Sequence, residues 1–182
     1  MSFSVSEMRS QIVGGGARPT LFEVQITNPI NGVADFKIPF MVKAASLPGS
    51  NLGMVNVPYF GRTIKIAGDR TFEDWEVTVI NDEDFAVRNA MEQWSNAINS
   101  HVGNTRNVAN LPPERYKAQA QIRQFSKTGN MIREYSFNGI FPTVIAPITT
   151  EWGTVDTIEE FAVTFAYDWW EVSGGSTGIS TT

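Results

Sequence analysis

The sequence predicts a mainly β protein, a barrel or sandwich of antiparallel strands with one flanking α-helix. Three observations support this prediction. Apolar and polar residues alternate in several segments, turn-forming residues separate those segments, and one segment has apolar residues at helical spacing. The 182 residues are enough for a single domain with a sizeable core.

Each predicted strand alternates between apolar and polar side chains. The strands are Thr20–Ile26, Phe36–Ala44, Arg62–Ala67, Trp75–Ile80, Tyr116–Phe125, Met131–Phe137 and Ile158–Trp170. Pro39 implies that the second strand is an edge or is bulged, because proline has no N–H to donate. We expect Arg62–Ala67 and Trp75–Ile80 to be neighbours joined across Gly68–Arg70. The turn Lys127–Asn130 should join the strands on either side of it into a hairpin.

The last predicted strand has the most regular alternation in the chain. One face carries large apolar residues, which are Phe161, Val163, Phe165, Tyr167 and Trp169. The other face carries small or polar residues. We expect the first face to lie in the core and the second to meet water or another subunit.

One helix is predicted at about residues 82–98. Asn81-Asp82 supplies its cap, and Glu83 and Asp84 place negative charge in the first turn, where the helix dipole favours it. The apolar residues at helical spacing are Val87, Met91, Trp94 and Ile98. This face should pack on the sheet.

The charge of the chain argues against general attraction to nucleic acid or anionic membranes. Its 14 basic and 19 acidic residues give a net charge of −5. The segment Arg106–Arg133 is basic, and no Lys or Arg follows it. Two interpretations stay open: the charges cancel within one fold, or they give two faces opposite sign and favour head-to-tail contact between copies.

Neither targeting nor catalytic patterns are found. Without a long apolar run or a signal-peptide core, we expect no membrane insertion and folding in a cytoplasm. The chain has no cysteine, and its one histidine, His101, has no metal-ligand spacing around it. The glycines at 14–16 are followed by Ala17-Arg18-Pro19, which is not a phosphate loop. A carboxylate pair distant in sequence stays open, but nothing calls for one, so we predict neither an enzyme nor a cofactor.

Residues 47–61 form a predicted loop that is long, uncharged and rich in apolar side chains. Such a loop usually exists to contact another molecule. The candidate contact residues are Leu47, Asn51, Leu52, Met54, Val55, Val57, Tyr59 and Phe60. We therefore predict that this segment is an assembly surface.

A series of short motifs surrounds this segment in a fixed order. The series is Pro48-Gly49, Val57-Pro58-Tyr59, Gly61-Arg62, Ala67-Gly68-Asp69, Phe72, Trp75, Asn81-Asp82 and Trp94. With these motifs the block from Asn56 to Trp94 resembles the tail tube proteins of T-even-like contractile-tailed bacteriophages. The resemblance extends to the first and last predicted strands, and residues 14–16 and 173–182 match least.

This resemblance implies a structural virion protein of the phage tail, with a fold shared by type VI secretion tube proteins. Subunits of this family form homohexameric rings that stack into a hollow tube, the conduit for genome ejection through the host envelope. The implied partners are further copies of the chain, the sheath protein outside, and baseplate and tail terminator proteins. The lumen would hold the tape-measure protein and then double-stranded DNA, without sequence-specific binding. The tail would be assembled in the host cytoplasm.

Within that scheme the chain divides into three parts. Residues 1–18 form an N-terminal arm, residues 19–172 form a single β domain with the assembly loop, and residues 173–182 form a flexible tail. A basic lumen would hold DNA, so we place polar and acidic residues there: Glu160, Thr164 and Asp168. The candidates for the sheath-facing surface are Lys117, Gln119, Gln121 and Arg123.

Two alternatives remain. The first keeps the fold but makes the chain a tube-like ring of a secretion or injection apparatus, or a baseplate protein that initiates the tube. The second is an unrelated enzyme or ligand-binding barrel, which would require a pocket with converging polar groups.

Overall fold

A computed structural model describes residues 4–106 and 112–177, and these residues form four α-helices and nine strands. The helices are α1 (Val5–Gln11), α2 (Ile38–Met41), α3 (Ala86–Ile98) and α4 (Pro113–Tyr116). The strands are β1 (Phe22–Ile26), β2 (Val42–Ala45), β3 (Asn51–Tyr59), β4 (Arg62–Thr71), β5 (Trp75–Ile80), β6 (Ala118–Phe125), β7 (Met131–Ile145), β8 (Glu160–Ala166) and β9 (Trp169–Gly174). The predicted mainly β fold with few helices is confirmed.

Seven of the strands belong to one antiparallel sheet. The strand order is β1-β6-β7-β8-β5-β2, and β9 also pairs with β7. The other two, β3 and β4, form a separate two-stranded sheet. The predicted hairpin across Lys127–Asn130 is confirmed as β6–β7, although β7 extends to Ile145.

The large sheet changes direction in the middle of β7, at Gly139. This residue has φ 70°, which an L side chain rarely adopts, and a Cβ there would overlap the carboxylate of Asp168. Residues before Gly139 pair with β6 and β9, whereas residues after Ile140 pair with β8. The two halves face each other across the core, where the Trp75 and Phe137 rings stack with centroids 4.2 Å apart. The result is a sandwich whose two sheets share β7.

The helix α3 covers this core on one side. It buries Val87, Ala90, Met91 and Trp94, as the helical spacing predicts. The indole N–H of Trp94 donates to the carbonyl of Tyr116 at 2.7 Å. The predicted flanking helix is therefore present.

The start of α3 differs from the prediction of residue 82. The helix begins at Ala86, after Phe85 in the left-handed conformation with φ 52°. Glu83 and Asp84, predicted in the first turn, therefore precede the helix. The carboxylates of Asp82 and Asp84 both pair with Lys37. Asp84 also accepts a hydrogen bond from the backbone N–H of Ala86. The acidic residues thus fix the turn that precedes the helix.

The predicted strand Phe36–Ala44 is wrong over its first half. The structure has α2 there, with Pro39 at its second position, where the missing proline N–H costs nothing. Of the apolar residues in this half, Ile38 is buried while Phe36 and Phe40 are exposed. The apolar residues that alternate with polar ones in this half therefore do not share one buried face, as they would in a strand packed on the core.

The predicted final strand is interrupted at Tyr167-Asp168. Phe161, Val163 and Phe165 are buried as predicted. The interruption lies opposite Gly139, where β7 changes direction. Beyond it, the alternation of core-facing and outward-facing residues is shifted by one position. Trp170 therefore packs against the core, and Trp169, predicted to be in it, is half exposed.

The predicted pairing of Arg62–Ala67 with Trp75–Ile80 is also wrong. Strand β4 continues through the expected turn to Thr71 and pairs only with β3. Strand β5 pairs with β2 and β8 instead. Phe72, between the two strands, packs against Tyr167 and Trp170, with ring centroids 5.9 and 6.4 Å apart. The chain thus leaves the small sheet and contacts the sandwich at Phe72 before it enters β5 of the large sheet.

Candidate assembly surfaces

The β3–β4 hairpin projects from the sandwich as an exposed arm. All nine residues of β3 are exposed, and so are all residues of β4 except the partly buried Gly68. At about 3.3 Å per residue, a nine-residue strand is roughly 30 Å long. A two-stranded hairpin is at best marginally stable alone in water, so an arm of this length needs a partner surface.

The base of the arm is fixed to the sandwich by side chains. The indole N–H of Trp75 donates to the Ser46 carbonyl, and that of Trp170 donates to the Gly49 carbonyl, each at 2.9 Å. The amide of Asn51 donates to Glu73 at 2.8 Å. These bonds hold the entry to β3 in place, so the arm leaves the sandwich in a defined direction.

The register of the hairpin gives the arm one strongly apolar face. Val55 lies opposite Ile66 and Val57 lies opposite Ile64, with Tyr59 next in line. On the other face Asn56 lies opposite Lys65, and the remaining members are Met54, Pro58, Thr63 and Ala67. Side chains of directly opposed residues point to the same side of a sheet. The apolar face is the surface that a partner would cover.

The tip of the arm is a two-residue turn, Phe60-Gly61. The two φ values are 42° and 78°, as in a type I′ turn, which prefers Asn-Gly. Phe60 is 91% exposed, and its ring contacts that of Tyr59 edge to face at 4.6 Å. Phe60 therefore occupies a turn position at which Asn is preferred over a large aromatic residue.

The predicted loop at residues 47–61 is thus wrong as to its conformation, since most of it is strand β3. Leu52, Met54, Val55, Val57, Tyr59 and Phe60 all lie exposed on the arm. Leu47 lies before the arm, and Asn51 holds its base. Sequence reasoning missed Ile64 and Ile66, although the alternation of Ile64 and Ile66 with Thr63 and Lys65 signals a strand with an apolar face.

The sheath and lumen candidates lie mostly on opposite outer faces of the sandwich. Gln119, Gln121 and Arg123 alternate with the buried Ala120 and Ile122 on β6. Glu160 and Thr164 alternate with buried residues on β8, in the opposing sheet. These two groups therefore lie on different faces of the subunit, and their roles stay predictions.

Asp168 does not fit that division. Its two carboxylate oxygens both accept from the Lys117 ammonium at 2.7 Å. A lumen candidate and a sheath candidate therefore contact each other where β7 changes direction. Lys117 and Asp168 thus lie at one surface of the subunit, and their roles stay predictions.

The other charged candidates are also paired. Glu160 accepts from Lys43 at 2.6 Å, and Arg123 lies between Glu134 (2.5 Å) and Glu23 (3.6 Å). Burial raises the pKa of Glu134, but the hydrogen bonds from Arg123 and Ser173 and the charge of Arg123 outweigh it, so the net pKa lies below the usual value. These charged candidates are thus neutralised by partners within the subunit.

The described residues contain no group of three or more His, Asp or Glu side chains arranged to hold a metal ion. None of the helices in the described ranges is both long and apolar enough to cross a membrane.

Comparison with known proteins decides the family. The family model described as phage tail tube protein matches residues 17–173. The chain belongs to the phage tail tube protein family. It is 33% identical to the tail tube protein gp19 of Enterobacteria phage T4 over 159 residues, which cover 87% of this chain and 93% of that protein. The predicted resemblance is therefore confirmed, and this tail tube protein is a structural virion component like its relatives.

Solved structures show the same fold at low sequence identity. A chain of the anti-feeding prophage baseplate, described as 6-fold symmetrised, matches with a TM-score of 0.62 and 10% identity, covering 88% of this chain and 97% of that one. A chain of the sheath-tube complex of an extracellular contractile injection system, in the extended state, matches with a TM-score of 0.59 and 13% identity, covering 94% and 99%. The tail tube protein thus has the fold found in contractile injection assemblies.

Proposed function

We propose that the tail tube protein closes into homohexameric rings that stack into the inner tube of a contractile phage tail, the conduit for genome ejection. The observation that carries this proposal is the exposed apolar face of the β3–β4 arm. An isolated subunit would expose this face to water, whereas a stacked ring covers it. The 6-fold symmetry of the structurally similar baseplate agrees with a ring of six.

The two outer faces of the sandwich fit the two walls of such a tube. We assign Gln119, Gln121 and Arg123 to the sheath side and Glu160 and Thr164 to the lumen side. With its net charge of −5, the subunit has no excess of basic residues to hold the phosphates of passing DNA. The tape-measure protein, and then double-stranded DNA, would occupy the lumen without sequence-specific contacts.

Baseplate and terminator proteins would contact the two ends of the tube, and assembly would take place in the host cytoplasm. Parts of the N-terminal arm (residues 1–18) and of the C-terminal tail (173–182) would reach neighbouring subunits. The first residues of that tail belong to the subunit's own sheet, because Ser173 and Gly174 lie in β9 and Thr177 donates to the Ile132 carbonyl. The alternative role, a ring of an injection apparatus or a tube initiator, shares this fold. The 33% identity to a phage tail tube protein favours the phage tail.

The proposal predicts that a polar substitution on the apolar face of the arm abolishes tubes. In the double variant Val57→Lys/Ile64→Glu the two charges lie directly opposite each other, so their attraction preserves the hairpin. We expect a folded subunit that remains unassembled, as measured by sedimentation at concentrations where the unsubstituted chain forms tubes.

The matched control is Asn56→Glu on the other face, opposite Lys65. It adds charge to the same hairpin without touching the apolar face, so we expect it to assemble. Normal assembly of the Val57→Lys/Ile64→Glu variant would overturn the proposed role of the arm.

A further inference from the structure

The connection between β7 and β8, residues 146–159, presents a fully exposed tryptophan. Glu151 to Thr154 form a turn in which the Thr154 N–H donates to the Glu151 carbonyl at 3.3 Å. Trp152 occupies the second position of this turn and is fully exposed, and Val155 and Ile158 are more than two-thirds exposed. We call residues 151–158 the Trp152 knob.

Both ends of this connection are fixed, and its charge is of one sign. The backbone N–H of Ala146 donates to Ala162, and the backbone N–H of Asn81 donates to Glu159, each at 2.8 Å. The segment contains Glu151, Asp156 and Glu159 but no Lys or Arg. In the described residues Glu151 and Asp156 form no ion pair. The knob is therefore an apolar projection with uncompensated negative charge.

A cavity of about 290 Å³ lies at the other end of β7. Its walls come from the N-terminal segment, the β6–β7 hairpin and the residues after β9, and its apolar lining includes Val13, Ala17, Phe125 and Ile132. The residues after β9 are held in place, because Thr177 donates from its backbone N–H to the Ile132 carbonyl at 3.0 Å. This volume is at the small end of ligand pockets and suits one large side chain. We call this cavity the socket.

The charge at the socket is opposite to that of the knob. Arg18 and Lys127 line it, and neither has an ion-pair partner in the part of the chain that the structure describes. The 15 residues of β7 separate the socket from the connection that carries the knob. One subunit therefore cannot place its own Trp152 in its own socket.

We propose that Trp152 of one copy inserts into the socket of a second copy, with Glu151 and Asp156 facing its Arg18 and Lys127. The contact is heterologous, joining two different surfaces, and such contacts generate rings or filaments when repeated. This inference rests on the proposed function, because it supplies a contact between the copies of a tube. It is independent of the β3–β4 arm, whose residues belong to neither surface.

The absence of cysteine from the chain allows a direct test by disulfide formation. One variant carries Val155→Cys beside Trp152, and a second carries Ser176→Cys at the socket. Mixed and assembled under mild oxidation, they should yield a dimer linked through residues 155 and 176, identified by mass spectrometry of the linked peptide. The control pairs Ser176→Cys with Val102→Cys, which is fully exposed but outside the knob, and should give no such link.

The outcomes separate this inference from the proposed function. Tubes without the 155–176 link would overturn the knob-and-socket contact and leave the tube intact. Oligomers that carry the link without forming tubes would support the knob-and-socket contact and overturn the proposal that the subunits form a tube. Tubes that carry the link would support both.

Substitution of Trp152 provides an independent measure. Because Trp152 is fully exposed, Trp152→Ala should fold normally yet raise the critical concentration for assembly by about tenfold or more. Trp152→Phe should recover most of the loss. Lys127→Glu should weaken assembly, and adding Glu151→Lys to it should restore it. An unchanged critical concentration in Trp152→Ala would contradict the proposal.

Discussion

At the residue scale, Phe60 is placed against the local preference of its turn. A type I′ turn favours Asn before Gly, because Asn tolerates positive φ better than Phe does. Yet Phe60 is exposed and contacts only its neighbour Tyr59 among the aromatic residues described. A residue that opposes the preference of its turn, and gains no compensating contact within the subunit, is typical of a functional position.

This placement predicts that Phe60→Asn makes the β3–β4 hairpin more ordered in the free subunit but weakens assembly. The substitution relieves about 1 kcal/mol of backbone strain, so amide exchange in β3 and β4 of the free subunit should slow. The contact surface of the tip is lost, so the critical concentration for assembly should rise. Exchange mass spectrometry and sedimentation measure the two effects. Assembly equal to that of the unsubstituted chain would show that the Phe60 ring makes no contact needed for assembly.

Gly139 is required for a different reason, which is the close approach of Asp168. Alanine at a positive φ costs about 1–2 kcal/mol at Gly139 and equally at Gly129, which has φ 82° and no atom near its Cβ position. Only at Gly139 does overlap with the carboxylate add about 1–3 kcal/mol. We therefore expect denaturant unfolding to show a larger loss for Gly139→Ala than for Gly129→Ala. Equal losses would mean that the contact with Asp168 is easily relieved.

At the scale of elements, Arg123 connects three neighbouring strands of the sheet. It pairs with Glu134 on β7 and with Glu23 on β1, on either side of its own strand β6. The pKa of Glu134 is lowered in the folded protein, and this shift makes the contribution of the pair depend on pH. Its stabilising contribution is present above the usual value of 4.5 and is lost as the pH falls through the lower folded value.

The contact between Arg123 and Glu134 shifts the pKa of both groups. For Arg123, the hydrogen bond to Glu134 raises the pKa, and burial opposes it. For Glu134, burial raises the pKa, but the hydrogen bonds from Arg123 and Ser173 outweigh it.

This pairing predicts an acid-sensitive contribution to stability. At neutral pH, Glu134→Gln should lower the free energy of unfolding by about 1–2 kcal/mol, because it removes a charged hydrogen-bond partner of Arg123. As the pH falls below 4.5, the unsubstituted protein should lose this advantage, so the two unfolding free energies converge. The control is Glu171→Gln on β9, since Glu171 forms no ion pair within the described ranges. A constant difference across pH would contradict the assignment.

Several elements could be predicted from local pattern alone. The β6–β7 hairpin has alternation on both sides of a glycine-containing turn, and α3 has a repeated apolar face. Strand β4 could be recognised but not its partner, because alternation gives the faces of a strand and leaves its neighbour undetermined. The interruption at Tyr167-Asp168 depends on Gly139, which is distant in sequence, so no local pattern reveals it.

The candidate surfaces were predictable to a similar degree. The excess of apolar residues near Val55 and Val57 indicated a contact surface, because a solvated segment rarely carries so many. The two-faced form of the arm depends on its register with β4, which the sequence alone leaves open. Likewise, the ion pair between Lys117 and Asp168 follows from the change of direction in β7, and neither residue signals it.

At the scale of the whole molecule, the subunit is a sandwich with apolar projections. Several charges on its outer faces are paired internally, whereas the β3–β4 arm and the Trp152 knob expose apolar side chains. A monomer gains nothing from such projections, because exposed apolar area costs free energy in water. Assembly from many identical copies gives each projection a surface to cover.

Negative-stain electron microscopy of the purified protein at rising concentration tests this account most directly. We predict hollow tubes built of stacked rings above a critical concentration, because stacking covers the apolar face of the arm. Uniform small particles at every concentration, with and without baseplate supplied as a template, would contradict the account.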